Sequence, residues 1–159
     1  MAPVPAVLAR AVDTALEVTI AGSFSRLGIA ARRATSPWPD PPGMEGRTVL
    51  ITGASSGLGR AAAVAMAGLG ATVWMAGRDR VRLDAAVGEA DRAGAARGGS
   101  GRAVVADVVE PDQAGRLVDE VTAGGRLDAV VHNAGALFAD LRRAPDGTEL
   151  TVATHVLAP

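Results

Sequence analysis

Leu8, Val12, Leu16, Ile20, Phe24 and Leu27 recur at steps of four and then three. That period places them on one face of a helix, so Val4 to Ala34 is expected to form one long amphipathic helix. Gly22 and Gly28 weaken it, at up to about 1 kcal/mol each relative to alanine. Two readings of this helix stand. It docks on a folded domain or a partner, or it makes a weak contact with a membrane surface through Arg26, Arg32 and Arg33. The same arginines suit the negative end of a helix dipole. The stretch TSPWPDPPGMEG follows. Pro37, Pro39, Pro41 and Pro42 remove backbone donors and favour an extended chain. Residues 1–34 therefore read as the helix, 35–46 as a linker and 47–159 as the folded domain.

From Arg47 the pattern changes. Thr48 to Thr52 is a short β-rich apolar run, a buried strand. Gly57 to Leu69 is helical, with Leu58, Ala62, Ala65, Met66 and Leu69 expected on the apolar face. Thr72 to Ala76 is a second strand. Asp79 to Ala93 is a helix with Asp79 as its N-cap. Residues 94–101 read as a flexible loop, and Ala103 to Ala106 as a third strand. Pro111 to Ala123 is a helix with proline in its first turn. Leu127 to His132 is a fourth strand, and Gly147 to Leu157 opens another helix. Short strands alternating with helices of about 10–15 residues imply βαβ units. The expected fold is α/β, a Rossmann-like, doubly wound parallel sheet of about four strands.

Composition narrows the chemistry. The chain has 159 residues, of which 48% are apolar and 21% charged. That is too apolar for a disordered chain and enough for roughly one domain. A net charge of −1 leaves no electrostatic footprint for nucleic acid. There is no cysteine, which excludes disulfides and thiolate chemistry, and no metal site is expected. All 16 basic residues are arginine, and the chain has neither lysine nor tyrosine. Chemistry that needs a phenol or an ammonium group cannot come from this chain. The uncharged N-terminal stretches fall short of the ~20 apolar residues of a membrane span. Arg10, Asp13 and Glu17 interrupt any secretory signal core. A cytoplasmic protein is expected.

The first strand runs into Thr52-Gly53-Ala54-Ser55-Ser56-Gly57-Leu58-Gly59, a TGxxxGxG pattern between strand and helix. Gly53 permits the tight turn, Gly57 lets backbone approach a pyrophosphate, and Gly59 allows close packing. Phosphates would sit on the helix N-terminus, where amide N–H groups point outward. The second strand ends Ala76-Gly77-Arg78-Asp79. Arg78 offers a planar donor fork suited to the 2′-phosphate of NADP(H), in preference to NAD(H). Asp79 reads as a helix cap rather than as a ribose-binding carboxylate. Asp107, after the third strand, either accepts from the adenine amino group or caps a turn. The fourth strand ends His132-Asn133-Ala134-Gly135. There Asn133 ties neighbouring strands together, Gly135 keeps the cleft floor open, and His132 reads as structural.

These four motifs, in this order, resemble the short-chain dehydrogenase/reductase family from Gly46 to the end of the chain. The N-terminal Gly22-Ser23-Phe24-Ser25-Arg26-Leu27-Gly28 is more weakly similar to the branch named dehydrogenase/reductase member 12. The resemblance implies reversible hydride transfer between NADP(H) and an alcohol or carbonyl. It implies cofactor contacts at Thr52, Gly53, Ser55, Ser56, Gly57, Leu58, Gly59, Arg78, Asp107, Asn133, Ala134 and Gly135. Catalysis in the family uses a Ser and a Tyr-x-x-x-Lys pair, with the Tyr as acid/base. A further Asn, in the helix after the NAG motif, supports a proton relay. His155 stands at that position here, and is the one catalytic candidate.

In the strand order 3-2-1-4-5-6 this chain would supply 3-2-1-4, leaving strand four as an open edge that invites pairing. The chain is therefore expected to be an N-terminal fragment, inactive alone, completed by a missing C-terminal half or a homo-oligomeric partner. The alternative is a non-catalytic dinucleotide-binding or partner-binding module, or a truncated gene relic.

Overall fold

The structure is a computed structural model that describes residues 5–19, 25–35, 39–144 and 146–159. The chain divides into two units, 1–41 and 42–159. No helix among the described residues is long and apolar enough to cross a membrane.

The first unit holds two helices, α1 (Ala6–Glu17) and α2 (Arg26–Thr35), where the sequence pattern predicts one. Asp13 accepts from Arg32 Nε at 2.6 Å. On one straight helix, residues 19 positions apart would be separated by about 28 Å. The two helices therefore lie side by side rather than end to end. β-branched Val18 and Thr19, poor helix formers, already lie outside α1. Ile20, Phe24 and Gly22 of the expected helix lie outside the described residues. Half-buried Ala9, Val12 and Leu16 keep the helical spacing, while Val7, Leu8 and Leu27 are exposed.

The second unit begins at Pro42, inside the expected linker. Met44 packs against the core, and its amide donates to the Leu69 carbonyl at 2.7 Å. The elements then alternate: β1 (Thr48–Thr52), α3 (Gly57–Gly68), β2 (Thr72–Gly77), α4 (Arg80–Gly94), β3 (Ser100–Val105), α5 (Pro111–Ala123) and β4 (Ala129–Val131). A short α6 (Leu150–Val152) continues into a π-helical turn, Ala153–Leu157. The sheet is parallel, in the order β3-β2-β1-β4.

Alternation along the strands fills two layers, as a doubly wound sheet requires. Val49, Ile51, Val73 and Met75 face α3 and α4, where they meet Ala63, Ala67, Leu83, Ala86 and Ala90. Leu50, Trp74, Ala76 and Val104 face the other way and meet Leu117 and Val121 of α5. Both helical layers bring small or branched side chains onto the sheet.

One helix face and three element boundaries depart most from the sequence reading. The fully buried face of α3 is Gly59, Ala63 and Ala67; of the expected stripe, half-buried Ala62 and Met66 pack against the core while Leu58 and Ala65 are exposed. Leu58 is 83% exposed, because the small residues let the helix lie close and leave the leucine at the helix start. β3 begins at Ser100, inside the expected loop. Gly101 there passes under α4, where a Cβ would come within 3.2 Å of Ala90 Cβ. β4 is shorter than Leu127 to His132, since it pairs only through Ala129–Val131. The last helix begins at Leu150 rather than Gly147, because Glu149 caps it.

Candidate functional site

The site lies at the carboxyl ends of the strands, where the order reverses between β1 and β4. After Thr52 the chain turns through Gly53, with φ at 68°. A Cβ on Gly53 would lie 2.8 Å from Ala134 Cα, so glycine is needed for both conformation and space. A Cβ on Gly59 would collide with the Asn133 side-chain amide and the Gly53 carbonyl. Around Gly57 the space is open.

Ser56 is the N-cap of α3, but its side chain makes no capping hydrogen bond. Of the other helix starts that border the site, those of α4 and α6 are capped by side chains, while α5 follows Glu110 without a side-chain cap and opens on a proline. Asp79 accepts from the Arg82 amide at 3.0 Å, and Glu149 accepts from Thr151 and Val152 at 3.0 and 2.9 Å. The start of α3 thus keeps the outward amide N–H groups that receive an anion.

Polar side chains tie β4 to β1 beside this turn. The buried Thr52 Oγ1 accepts from the amides of Asn133 and Ala134, both at 3.1 Å. Asn133 Nδ2 donates to the carbonyls of Thr52 at 3.0 Å and Gly53 at 3.3 Å. At the far side, Arg78 stands at the end of β2, with Nη1 3.4 Å from Asp107 Oδ2. Asp107 Oδ1 accepts from the Val109 amide at 3.1 Å. One carboxylate oxygen thus builds the turn and the other faces Arg78.

These elements surround a cleft of about 650 Å³. Gly53, Ser55, Ser56 and Leu58 line it from the first turn, and Arg78 and Asp107 from the second and third strand ends. Asn133, Ala134 and Gly135 line it from β4. Thr52, Gly57 and Gly59 are not in the lining; Thr52 and Gly59 shape the turn from behind. His155 does not line the cleft either. Its Nε2 lies 3.2 Å from the Ala136 amide nitrogen and 3.0 Å from the Ala136 carbonyl oxygen. A Cβ on Gly135 would approach the His155 ring to 2.9 Å. His132 is exposed.

The sequence reading missed Arg82, which lines the cleft, and the acids that order the turn leading to Leu150, another lining residue. Asp146 accepts from the Thr148 amide at 2.9 Å and hydroxyl at 3.0 Å, which holds its carboxyl below the usual range. Glu149 is lowered by the amides of Thr151 and Val152 and by the Thr151 hydroxyl. The signal was present as Asp146-Gly147-Thr148-Glu149, an acid-led turn followed by a capping acid.

Residues 47–154 match the family described as short chain dehydrogenase. The chain belongs to that family. Retinol dehydrogenase 14 of Mus musculus is 36% identical over 156 residues, covering 88% of this chain and 47% of that protein. A short-chain type dehydrogenase/reductase from Mycobacterium ulcerans is 34% identical with a TM-score of 0.63, over 73% of this chain and 43% of that one. A metagenomic short-chain oxidoreductase, solved in complex with NADP, is 31% identical with a TM-score of 0.62, over 73% and 52%. The chain spans less than half the length of the curated relatives it resembles in this way. The family is one that binds an NAD(P) cofactor.

Proposed function

We propose that this chain is the cofactor-binding part of an NADP(H)-dependent reductase that acts on an alcohol or carbonyl. The observation that carries this reading is the Arg78 guanidinium at the carboxyl end of β2, lining the cleft beside Gly77. Its planar donors match the phosphate that distinguishes NADP(H) from NAD(H). The rest of the cleft fits a dinucleotide. The uncapped start of α3 and the open space at Gly57 suit a pyrophosphate, and Asp107 suits the adenine amino group. A nicotinamide bound there supplies hydride exchange. The chain's own residues bind and orient: Asn133, Ala134 and Gly135 form the floor, fixed to β1 through Thr52. His155 acts on that floor by holding the Ala136 backbone.

The acid/base Tyr and its Lys are absent from this sequence. Turnover therefore requires a further polypeptide segment or a partner that supplies them. The same absence favours a second reading, a dinucleotide- or partner-binding module without catalysis. Titration calorimetry with NADPH and NADH, followed by a carbonyl-reduction assay, tests both. We expect NADPH to bind at least about tenfold more tightly, a difference of ~1.4 kcal/mol. Arg78→Leu should reduce that preference, and the chain alone should not oxidise NADPH. Equal affinity for the two cofactors would overturn the NADP(H) assignment. Steady NADPH oxidation by the chain alone would overturn its predicted inactivity.

A further inference from the structure

We infer that Arg82 is a second specificity-determining residue at the 2′-phosphate end of the cleft, acting beside Arg78. The inference rests on the NADP(H) reading above. Three arginines follow β2 in Arg78-Asp79-Arg80-Val81-Arg82, and their surroundings separate them. Arg80 is committed along the helix, with Nε 2.9 Å from both carboxylate oxygens of Asp84, and it does not line the cleft. Arg82 does line it. Its Nε lies 3.3 Å from Asp79 Oδ2, while its own amide donates to Asp79 Oδ1. Helical side chains lean toward the N-terminus, so a residue in the first turn of α4 is aimed back at the end of β2.

The cleft mouth therefore carries two ion pairs, Arg78 with Asp107 and Arg82 with Asp79. Both arginine side chains are 69% exposed, so neither pair is locked in place. Asp79 is the reason Arg82 matters. An unpaired carboxylate next to Arg78 would repel a 2′-phosphate carrying about −1.5 to −2 charges. Arg82 neutralises that carboxylate while the mouth is empty. When a phosphate enters, it offers more charge and more acceptor oxygens than Asp79 does, and Arg82 turns to it. Asp79 keeps its capping bond to the Arg82 amide throughout.

The test titrates the full 159-residue chain with adenosine 2′,5′-bisphosphate and with adenosine 5′-monophosphate, which differ by the 2′-phosphate. Arg82→Gln should weaken the bisphosphate about tenfold, one charge-assisted hydrogen bond's worth, and leave the monophosphate unchanged. Arg80→Gln should change neither. Asp79→Asn retains a capping acceptor, removes the repelling charge, and should tighten the bisphosphate alone. If the unmodified chain binds both ligands equally, the NADP(H) reading fails and this inference falls with it. If the unmodified chain prefers the bisphosphate and Arg82→Gln keeps that preference, the inference alone is overturned. Equal weakening of both ligands by Arg82→Gln overturns it too, since that would mark a structural role.

Discussion

β2 and β4 flank β1 on opposite sides, and different forces hold them there. β2 pairs with β1 over five residues and is buried from Val73 to Gly77, with helices on both faces. β4 pairs over three residues, and Ala129 and Val130 are exposed. The strand's own hydrophobicity does not explain this, since Ala-Val-Val is as apolar as much of β2. Burial needs neighbours, and β4 has a paired strand on one side only among the described residues. Polar pins take over at its two ends. Asp128 accepts from the Thr48 amide at 2.9 Å ahead of the strand, and Thr52 with Asn133 closes the other end. The side of the cleft beside β2 thus rests on packing, and the side beside β4 rests on hydrogen bonds.

If that contrast holds, the largest effect should come where a pin and the packing meet. Gly59 packs against Asn133, so Gly59→Val should displace the Asn133 amide and strain the turn. The expected loss is about 3 kcal/mol of stability, the upper part of the overpacking range, together with loss of NADPH binding. Urea unfolding and titration calorimetry read the two effects. Unchanged NADPH affinity would show that the Asn133 tie does not shape the cleft.

Thr52→Val should come next. It leaves the amides of Asn133 and Ala134 without their acceptor, at about 1–3 kcal/mol. Thr52→Ser keeps the oxygen and should recover most of the loss. A valine variant as stable as the unmodified chain would assign the site to packing rather than to the pin, because valine keeps the methyl of Thr52 and loses only its hydroxyl.

The same contrast explains what the sequence revealed. The strands β1 and β2 announced themselves because both faces are buried and every position is apolar or Thr. β3 was half hidden, since Ser100, Gly101 and Arg102 carry no apolar signal and pair only because β2 lies alongside. The glycine turn and Arg78 were legible because their chemistry depends on local spacing. Arg82 was not legible, because three arginines alternate and only the positions of Asp79 and Asp84 separate their roles. That α1 and α2 are two helices escaped because the apolar stripe continues from one to the other in the sequence, while the Asp13–Arg32 pair that sets them side by side is a tertiary contact. The face of α3 was misjudged because alanine and glycine pack against the sheet while a leucine stays out.

Acid should act on the β4 side. Asp128 is held below its ordinary pKa first by the Thr48 amide and then by Arg47, with Arg126 adding a further charge. Its folded pKa is depressed, so its stabilising contribution is complete above the unfolded value of about 3.9. It is lost as pH falls through the folded pKa. Glu149 shifts in the same direction and adds to the same acid limb, and Glu89, paired with Arg60 between α4 and α3, adds a part from the β2 side. Asp128→Asn keeps an oxygen acceptor for the Thr48 amide but does not titrate. Melting temperatures measured from pH 6 down to pH 2 should therefore fall less steeply for Asp128→Asn than for the unmodified chain. Parallel curves would remove Asp128 from the account of how β4 is held.

The smallest effect should lie on the β2 side. Arg102 sits over the Trp74 ring at 5.2 Å, an interaction between β3 and β2 that resembles a pin. Trp74 is 7% exposed and packed with Leu50, Leu117 and Val121, so its burial does not depend on the arginine. Arg102→Met should cost only about 0.5 kcal/mol, the lower end for an exposed cation–π contact, and its alkyl chain still covers the indole. Tryptophan fluorescence during urea unfolding, measured in a Trp38→Phe background, reads this site directly, because Trp74 is then the one tryptophan of the chain. A loss as large as that of Thr52→Val would mean that β2, like β4, depends on a single polar partner, and the contrast between the two strands would collapse.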